Sequence, residues 1–147
     1  MVKETKENRE IKTVETTSAD RASAARQCMR IELPNGTMLL IAGTAKLDGN
    51  GRIVPEDFRA QTWQTFQNIS ARLEEEGATW DNVVRTTCHL RDLDRDGEHF
   101  SEMRTWFYTE IGLEAHPANT NIQSPIHPQD LLIEIEAIAI LPHRHSS

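Results

Sequence analysis

The sequence predicts an α+β domain ordered β-β-α-β-α-β, with two helices covering one face of a mixed sheet. Three observations carry this: a hairpin signature in "CMRIELPNGTMLLIAGTA", apolar residues at helical spacing in two separate windows, and a closing strand, "LLIEIEAIAIL", with one wholly apolar face.

The hairpin is two apolar-rich runs around a Pro-Asn-Gly turn, starting at Cys28. After the loop "LDGNGR", Phe58, Thr62, Phe66, Ile69 and Leu73 fall on one helical face. Pro55 suits the first turn, Glu56 and Asp57 its acidic start, and Gly77 its end. Past the turn "TWDN", Val84, Thr86, Cys88 and Leu90 alternate with Val83, Arg85, Thr87, His89 and Arg91, the pattern of a third strand with one wetter face. "DLDRDG" reads as a loop, with His99 opening a second helix on Phe100, Met103, Phe107 and Ile111, closed by Gly112. "HPANTNIQ", residues 116–123, is polar and turn-prone. In the last strand Leu131, Ile133, Ile135, Ala137, Ala139 and Leu141 share a wholly apolar face, while Leu132, Glu134, Glu136, Ile138 and Ile140 share the other. That second face is too apolar for water, so a homo-oligomer whose sheets pack together is expected.

The 147 residues suit one domain, 26–142, able to bury roughly 68% of its unfolded surface. Residues 1–25 hold almost no large apolar side chains and read as a flexible tail; 143–147 read as a second. A net charge of −7 with no basic stripe argues against nucleic acid and anionic membranes as partners. The absence of a long apolar run and of an export signal points to a cytoplasmic protein. Cys28 and Cys88 give neither a disulfide framework nor metal spacing, so no metal is expected, and "GNG" does not match a dinucleotide loop, so no cofactor is either.

Glu134 stands first among candidate residues, because a carboxylate between Leu132 and Ile138 on a half-buried face is placed to act as an acid or base. The structural alternative is an intersubunit salt bridge to Arg85 or Arg91, and Glu136 reads as structural. His116 and His127 flank the polar segment, each before a proline that biases it to extended backbone, and both are site candidates. His89 and His99 have ordinary structural readings, His143 and His145 fall in the tail, and Cys88 reads as an inert core thiol. Amides, hydroxyls, arginines and one carboxylate polarise carbonyls or orient water more readily than they form covalent intermediates.

The stretch "GTAKLDGNGRIVPEDFRAQTWQTFQNISARLEEEGATWDNVVRTTCHLRD", together with "HPANTNIQ" and "LLIEIEAIAIL", resembles the Rid family, also called YjgF, over about residues 36–142. The resemblance implies a chorismate-mutase-like α+β fold, a homotrimer packed through its sheets, and ligand pockets between subunits. Deaminating members hydrolyse small imines and enamines made by pyridoxal-phosphate enzymes, with no cofactor of their own. They hold the substrate carboxylate with an arginine after "PA" and position water with a glutamate in the last strand. Glu134 matches that glutamate, but Asn119 occupies the arginine position, and Ala42, before Gly43, replaces a serine that many members carry. An amide cannot supply a bidentate charged clamp.

Asn119, Thr120, Asn121 and Gln123 remain able to bind a polar ligand, and Arg104 is a candidate relocated charge. "GTA" and "LLIEIEA" are also similar to a branch acting in aromatic and secondary metabolism, including the catalytic domain of chorismatases, and "HPQDLLIEI" to 2-aminomuconate deaminase. The expected function is a cofactor-free enzyme acting on a small-molecule substrate, by proton transfer or by adding or eliminating water at an imine, enamine or enol-like carbon. Ordinary 2-imino-acid deamination is disfavoured. The alternative is a non-catalytic metabolite-binding or regulatory trimer. The acidic chain disfavours the ribonuclease activity sometimes attached to the family.

Overall fold

The computed structural model describes residues 12–15, 27–45 and 57–143. Through them run β1 (Lys12–Glu15), β2 (Cys28–Leu33), β3 (Gly36–Thr44), α1 (Phe58–Glu75), β4 (Val83–Leu90), α2 (Leu93–Glu110), β5 (Ala118–Gln123) and β6 (Ile133–Pro142), with a 3-10 turn at Trp80–Asn82. β2 and β3 form the expected hairpin. β6 inserts between β3 and β4, antiparallel to both, and β5 lies parallel to β4, giving the order β1-β2-β3-β6-β4-β5. The mixed sheet carries α1 against β3 and β6, and α2 against β4 and β5.

Both helices end as their sequences predict. Asp57 Oδ1 accepts from Ala60 N at 2.8 Å at the start of α1. At its far end Gly77, at φ +75°, lets Gly77 N bond Glu74 O and Ala78 N bond Leu73 O. Gly112, at φ +69°, repeats this for α2 through Thr109 O and Tyr108 O. The expected α1 face, Phe58, Thr62, Phe66, Ile69 and Leu73, is buried throughout. Phe66 joins the helices by stacking on Phe107 at 4.6 Å between centroids. Ile133, Ile135, Ala137 and Ala139 of β6 are buried in the same core.

Four expectations change. "HPANTNIQ" is not a loop: residues 118–123 form a parallel edge strand, with Asn119 bonded to Thr86 and Asn121. "DLDRDG" belongs mostly to α2, which begins at Leu93. There Asp92 Oδ1 caps Arg95 N at 3.0 Å, and Asp94 and Asp96 complement the helix dipole, outweighing the cost of Gly97 and leaving His99 inside the helix. A bulge between Val83 and Arg85 resets β4, so Val83 is buried and Val84 is 48% exposed, the reverse of simple alternation. Within the expected tail, Lys12–Glu15 pair antiparallel with β2, because that edge otherwise leaves backbone groups unpaired; the rest of 1–25 lies outside the described residues. Pro55, Glu56 and His145 also lie outside them. His143 is tied back through its backbone N to Asn35 O.

Two polar clips hold the layers in register. Buried Gln61 of α1 donates from Nε2 to Asp130 O at 2.7 Å and accepts from Leu132 N at 2.8 Å, fixing the entry to β6. Arg30 of β2 bonds Glu32 at 2.6 Å and Glu76, beyond α1, at 3.1 Å; Glu32 also accepts from Thr37 Oγ1 at 2.9 Å. Arg30, then Thr37, hold the Glu32 carboxyl below the ordinary 4.5.

Gln61→Leu takes the side-chain partner from two part-buried backbone groups, Asp130 O and Leu132 N, so chemical denaturation should show a loss of about 1–3 kcal/mol. Gln64→Ala, whose amide reaches only Asn68 one turn on, should cost under about 0.5 kcal/mol. Because the Glu32 carboxyl titrates lower in the folded chain than in the unfolded one, its stabilisation is full above the unfolded value and disappears as pH falls through the folded one. Wild type should therefore exceed Glu32→Gln in stability at pH 7, with the gap closing on acidification below 4.5; a gap that is constant with pH would contradict this.

Candidate functional site

Strand alternation assigns every candidate on β3 to β6 to one of two sheet faces. β6 sets the assignment, since Ile133, Ile135, Ala137 and Ala139 meet the helices and Glu134, Glu136, Ile138 and Ile140 turn away.

On the open face Glu134 stands opposite His89 of β4 and Thr44 of β3. It is half-buried, and among the described residues its carboxylate has no hydrogen-bond or ion-pair partner. The expected arginine partners are engaged elsewhere: Arg85 donates to Thr120 Oγ1 at 2.9 Å, while Arg91 binds the carbonyls of Leu131, Ile126 and Pro128. His89 lies between Ser124, with Nδ1 to Oγ at 2.9 Å, and Glu136, with Nε2 to Oε1 at 3.2 Å. Nothing in the sequence pairs His89 with Ser124, 35 residues on; the β4–β5 register does. Ala42 is also on this face, across from Glu136.

Asn119 and Asn121 face the other way, under α2. Asn119 Oδ1 accepts from Thr86 Oγ1 at 2.7 Å and Cys88 Sγ at 3.1 Å, and its Nδ2 donates to Asn121 Oδ1 at 2.8 Å. Desolvation pushes the Cys88 thiol up to about 12 and the Tyr108 phenol up to about 12, so both are neutral at pH 7; the Arg104 charge opposes each shift. Arg104 lies with its Cζ 5.4 Å from the Phe100 ring centre. Its Nη1 is buried with no hydrogen-bond partner. His116 is exposed, its ring 4.9 Å from Tyr108.

Several candidates serve the scaffold. Gln123 Oε1 accepts from Leu93 N at 2.9 Å and so caps α2. Gly43 faces α1, where a Cβ would come within 2.5 Å of Ile69 Cγ1; it permits close helix packing. His127 is exposed in the loop before β6, with a cis bond to Pro128. The structure thus gathers Arg104, Asn119, Asn121 and His116 near Thr86, Cys88 and Tyr108, and sets Glu134, Thr120 and Ala42 on the opposite face. Among the described residues no cluster has the makings of a metal site, and no helix is long and apolar enough to cross a membrane.

The family model described as endoribonuclease L-PSP matches residues 16–141. The chain belongs to this family, the Rid/YjgF family of its sequence resemblance. A RutC family protein of Pyrococcus abyssi is 38% identical over 105 residues, 71% of this chain and 79% of the relative. The 2-iminobutanoate/2-iminopropanoate deaminase of Salmonella typhimurium is 32% identical over 105 residues, 71% of this chain and 80% of the relative. The crystal structure of the YjgF gene product of Escherichia coli superposes with a TM-score of 0.66 at 30% identity, covering 80% of this chain and 88% of that one. This member carries Asn119 and its inward hydrogen bonds where the resemblance implies an arginine.

Proposed function

We propose that this Rid family member is a cofactor-free enzyme acting on a small molecule at an imine, enamine or enol-like carbon, with Glu134 as the group that moves the proton. The observation that carries this reading is Glu134 itself: a half-buried carboxylate in a strand whose side chains are apolar apart from it and the exposed Glu136, with no bonding partner among the described residues. A structural carboxylate on such a face is expected to hold a partner, whereas a proton carrier must keep a lone pair free. For an imine, Glu134 takes a proton from water as the oxygen adds to the C=N carbon and returns it to nitrogen. Glu134 then carries the hydroxyl proton of the carbinolamine to the same nitrogen, the C–N bond breaks with loss of ammonia, and the carbonyl remains. Imine-related chemistry has support in the relatives named for 2-iminobutanoate deamination.

Neutral Asn119 in place of a charged clamp favours a substrate other than an ordinary 2-imino acid. The same observation favours a second reading, a non-catalytic metabolite-binding trimer. The two readings separate when a bound metabolite is recovered: unchanged after long incubation for a binder, converted for an enzyme.

One chain cannot present Glu134 and Asn119 to the same small ligand. They lie on opposite sheet faces two strands apart, about 10 Å in the hydrogen-bonding direction alone. A site using both draws Glu134 from one copy and Asn119 from another. This fits a homotrimer closing over the apolar open face, where Leu40 is 38% and Ile122 40% exposed.

Glu134→Gln should lower kcat by about 100-fold or more on the best substrate found among 2-iminobutanoate generated in situ and a panel of enamines and enol ethers. Full turnover by that variant would remove Glu134 from the chemistry. Light scattering should give three times the 16.7 kDa chain mass; a monomer at micromolar concentration would contradict the shared site.

A further inference from the structure

We propose that the groove at the C-terminal ends of α1 and α2 is a binding site for a small organic ammonium ion with an apolar body, its charge held by Glu74 and Asp81. The groove is built from the helix layer, apart from Glu134 on the open face, and it does not rest on the function proposed above.

Three consecutive glutamates stand at the end of α1, and they are not equivalent. Glu75 binds Arg72 at 3.1 Å and Glu76 binds Arg30 at 3.1 Å. Glu74, which lines the groove, has no ion pair among the described residues, and neither has Asp81 on the same lining. Glu74 also works against its helix, since a carboxylate in the last turn meets the negative end of the dipole. α2 ends at the same groove, which Ile111 lines, and its last turn holds no base. Arg72, the base in the last turn of α1, is drawn to Glu75 and to Gln27 Oε1 at 2.6 Å. None of the residues lining the groove is Lys, Arg or His. The negative potential of two helix ends and two carboxylates is thus open to a cation from outside.

The rest of the lining selects the kind of cation. Leu73, Trp80 and Leu113 are buried, and Ile111 stands 44% exposed beside them. Trp80 Nε1 already donates to Ser70 Oγ at 2.9 Å, so the indole offers the groove carbon rather than a donor. A calcium or magnesium ion needs a shell of oxygens and gains nothing from such a surface. An organic ammonium buries its body against carbon while its head meets the carboxylates. A carboxylate or phosphate in the same place would meet like charge from Glu74 and Asp81. The volume, about 460 Å³, is of small-molecule size and far short of the surface a folded partner covers.

Isothermal titration of the full chain at pH 7 with 2-phenylethylamine, 2-phenylethanol and 3-phenylpropanoate tests the site. Wild type should bind the amine about tenfold more tightly than the alcohol, and the carboxylate more weakly than either. The combined Glu74→Gln, Asp81→Asn variant should bind amine and alcohol alike. Glu102→Gln, whose carboxylate pairs with Arg59 at 3.6 Å, should keep the preference. In NMR spectra the Trp80 indole resonance should move as the amine is added, while Trp63 and Trp106, the exposed pair 5.0 Å apart, should not respond. If the double variant fails to fold, Glu74→Gln alone and the Trp80 response of wild type decide. Equal affinity for amine and alcohol, tighter binding of the carboxylate, no binding of the amine, or an unchanged preference in the double variant each overturns the site. So does a response at Trp106 instead of Trp80, or loss of amine binding in Glu134→Gln, which would put the amine on the open face.

Discussion

The function proposed for this chain depends on the register of β6. Lying between β3 and β4 and hydrogen-bonded to both, it fixes which side chains of three strands look toward the helices. A slip of one residue would drive Glu134 and Glu136 into the core beneath Phe66 and expel Ile133 and Ile135. Burying two unpaired carboxylates there would be prohibitive. The core's insistence on Ile133, Ile135, Ala137 and Ala139 is thus also what holds Glu134 on the open face. Gln61 enforces the same register from the helix layer, since its amide meets the backbone where the strand begins.

The helix layer solves a different problem over β4 and β5. A parallel edge strand carrying Asn119 and Asn121 brings amides into a region otherwise closed by Phe100, Phe107 and Tyr108. Those amides are tolerated because Thr86 and Cys88 stand in register beside them and supply donors. An arginine at 119 would need room and a counter-charge in place of this ladder. With Asn119 the ladder is neutral and self-satisfied, and the positive charge sits one layer up, on Arg104.

Legibility of the fold in the sequence followed the strength of the periodic signal. β6, α1 and the hairpin were plain because burial on one face imposes an unbroken pattern on Phe58 to Leu73 and Leu131 to Leu141. β5 was hidden because its inward side chains are amides, whose intrinsic preference is for turns and whose strand state depends on partners in β4. The first turn of α2 was hidden because Asp92, Asp94, Asp96 and Gly97 look like a loop until Asp92 is seen to cap it. At the site, Glu134 was legible as an intruder in an apolar strand. Gly43 and Gln123 were not legible as scaffold, since their tasks, admitting Ile69 and capping Leu93, are set by distant elements. That no carboxylate pairs with Arg104 among the described residues was likewise beyond the sequence, which carries 23 acidic residues and does not say which of them approach.

Under the proposed function, the separation of Glu134 from Asn119 ties chemistry to assembly. The sheet holds Asn119 and Asn121 on its helix side and Glu134 beside Ile138 and Ile140 on its bare side, so one chain does not bring them to the same ligand. If Glu134 moves the proton and Asn119 faces the substrate, then a monomer owns two half-sites and no whole one. Closing the apolar face against another copy, as proposed, would remove Leu40, Ile138 and Ile140 from water. The hydrophobic gain of association would then offset the cost of orienting two polar groups around a small ligand, so that a residue such as Leu40, far from any bond broken or formed, would control activity through the assembly it stabilises.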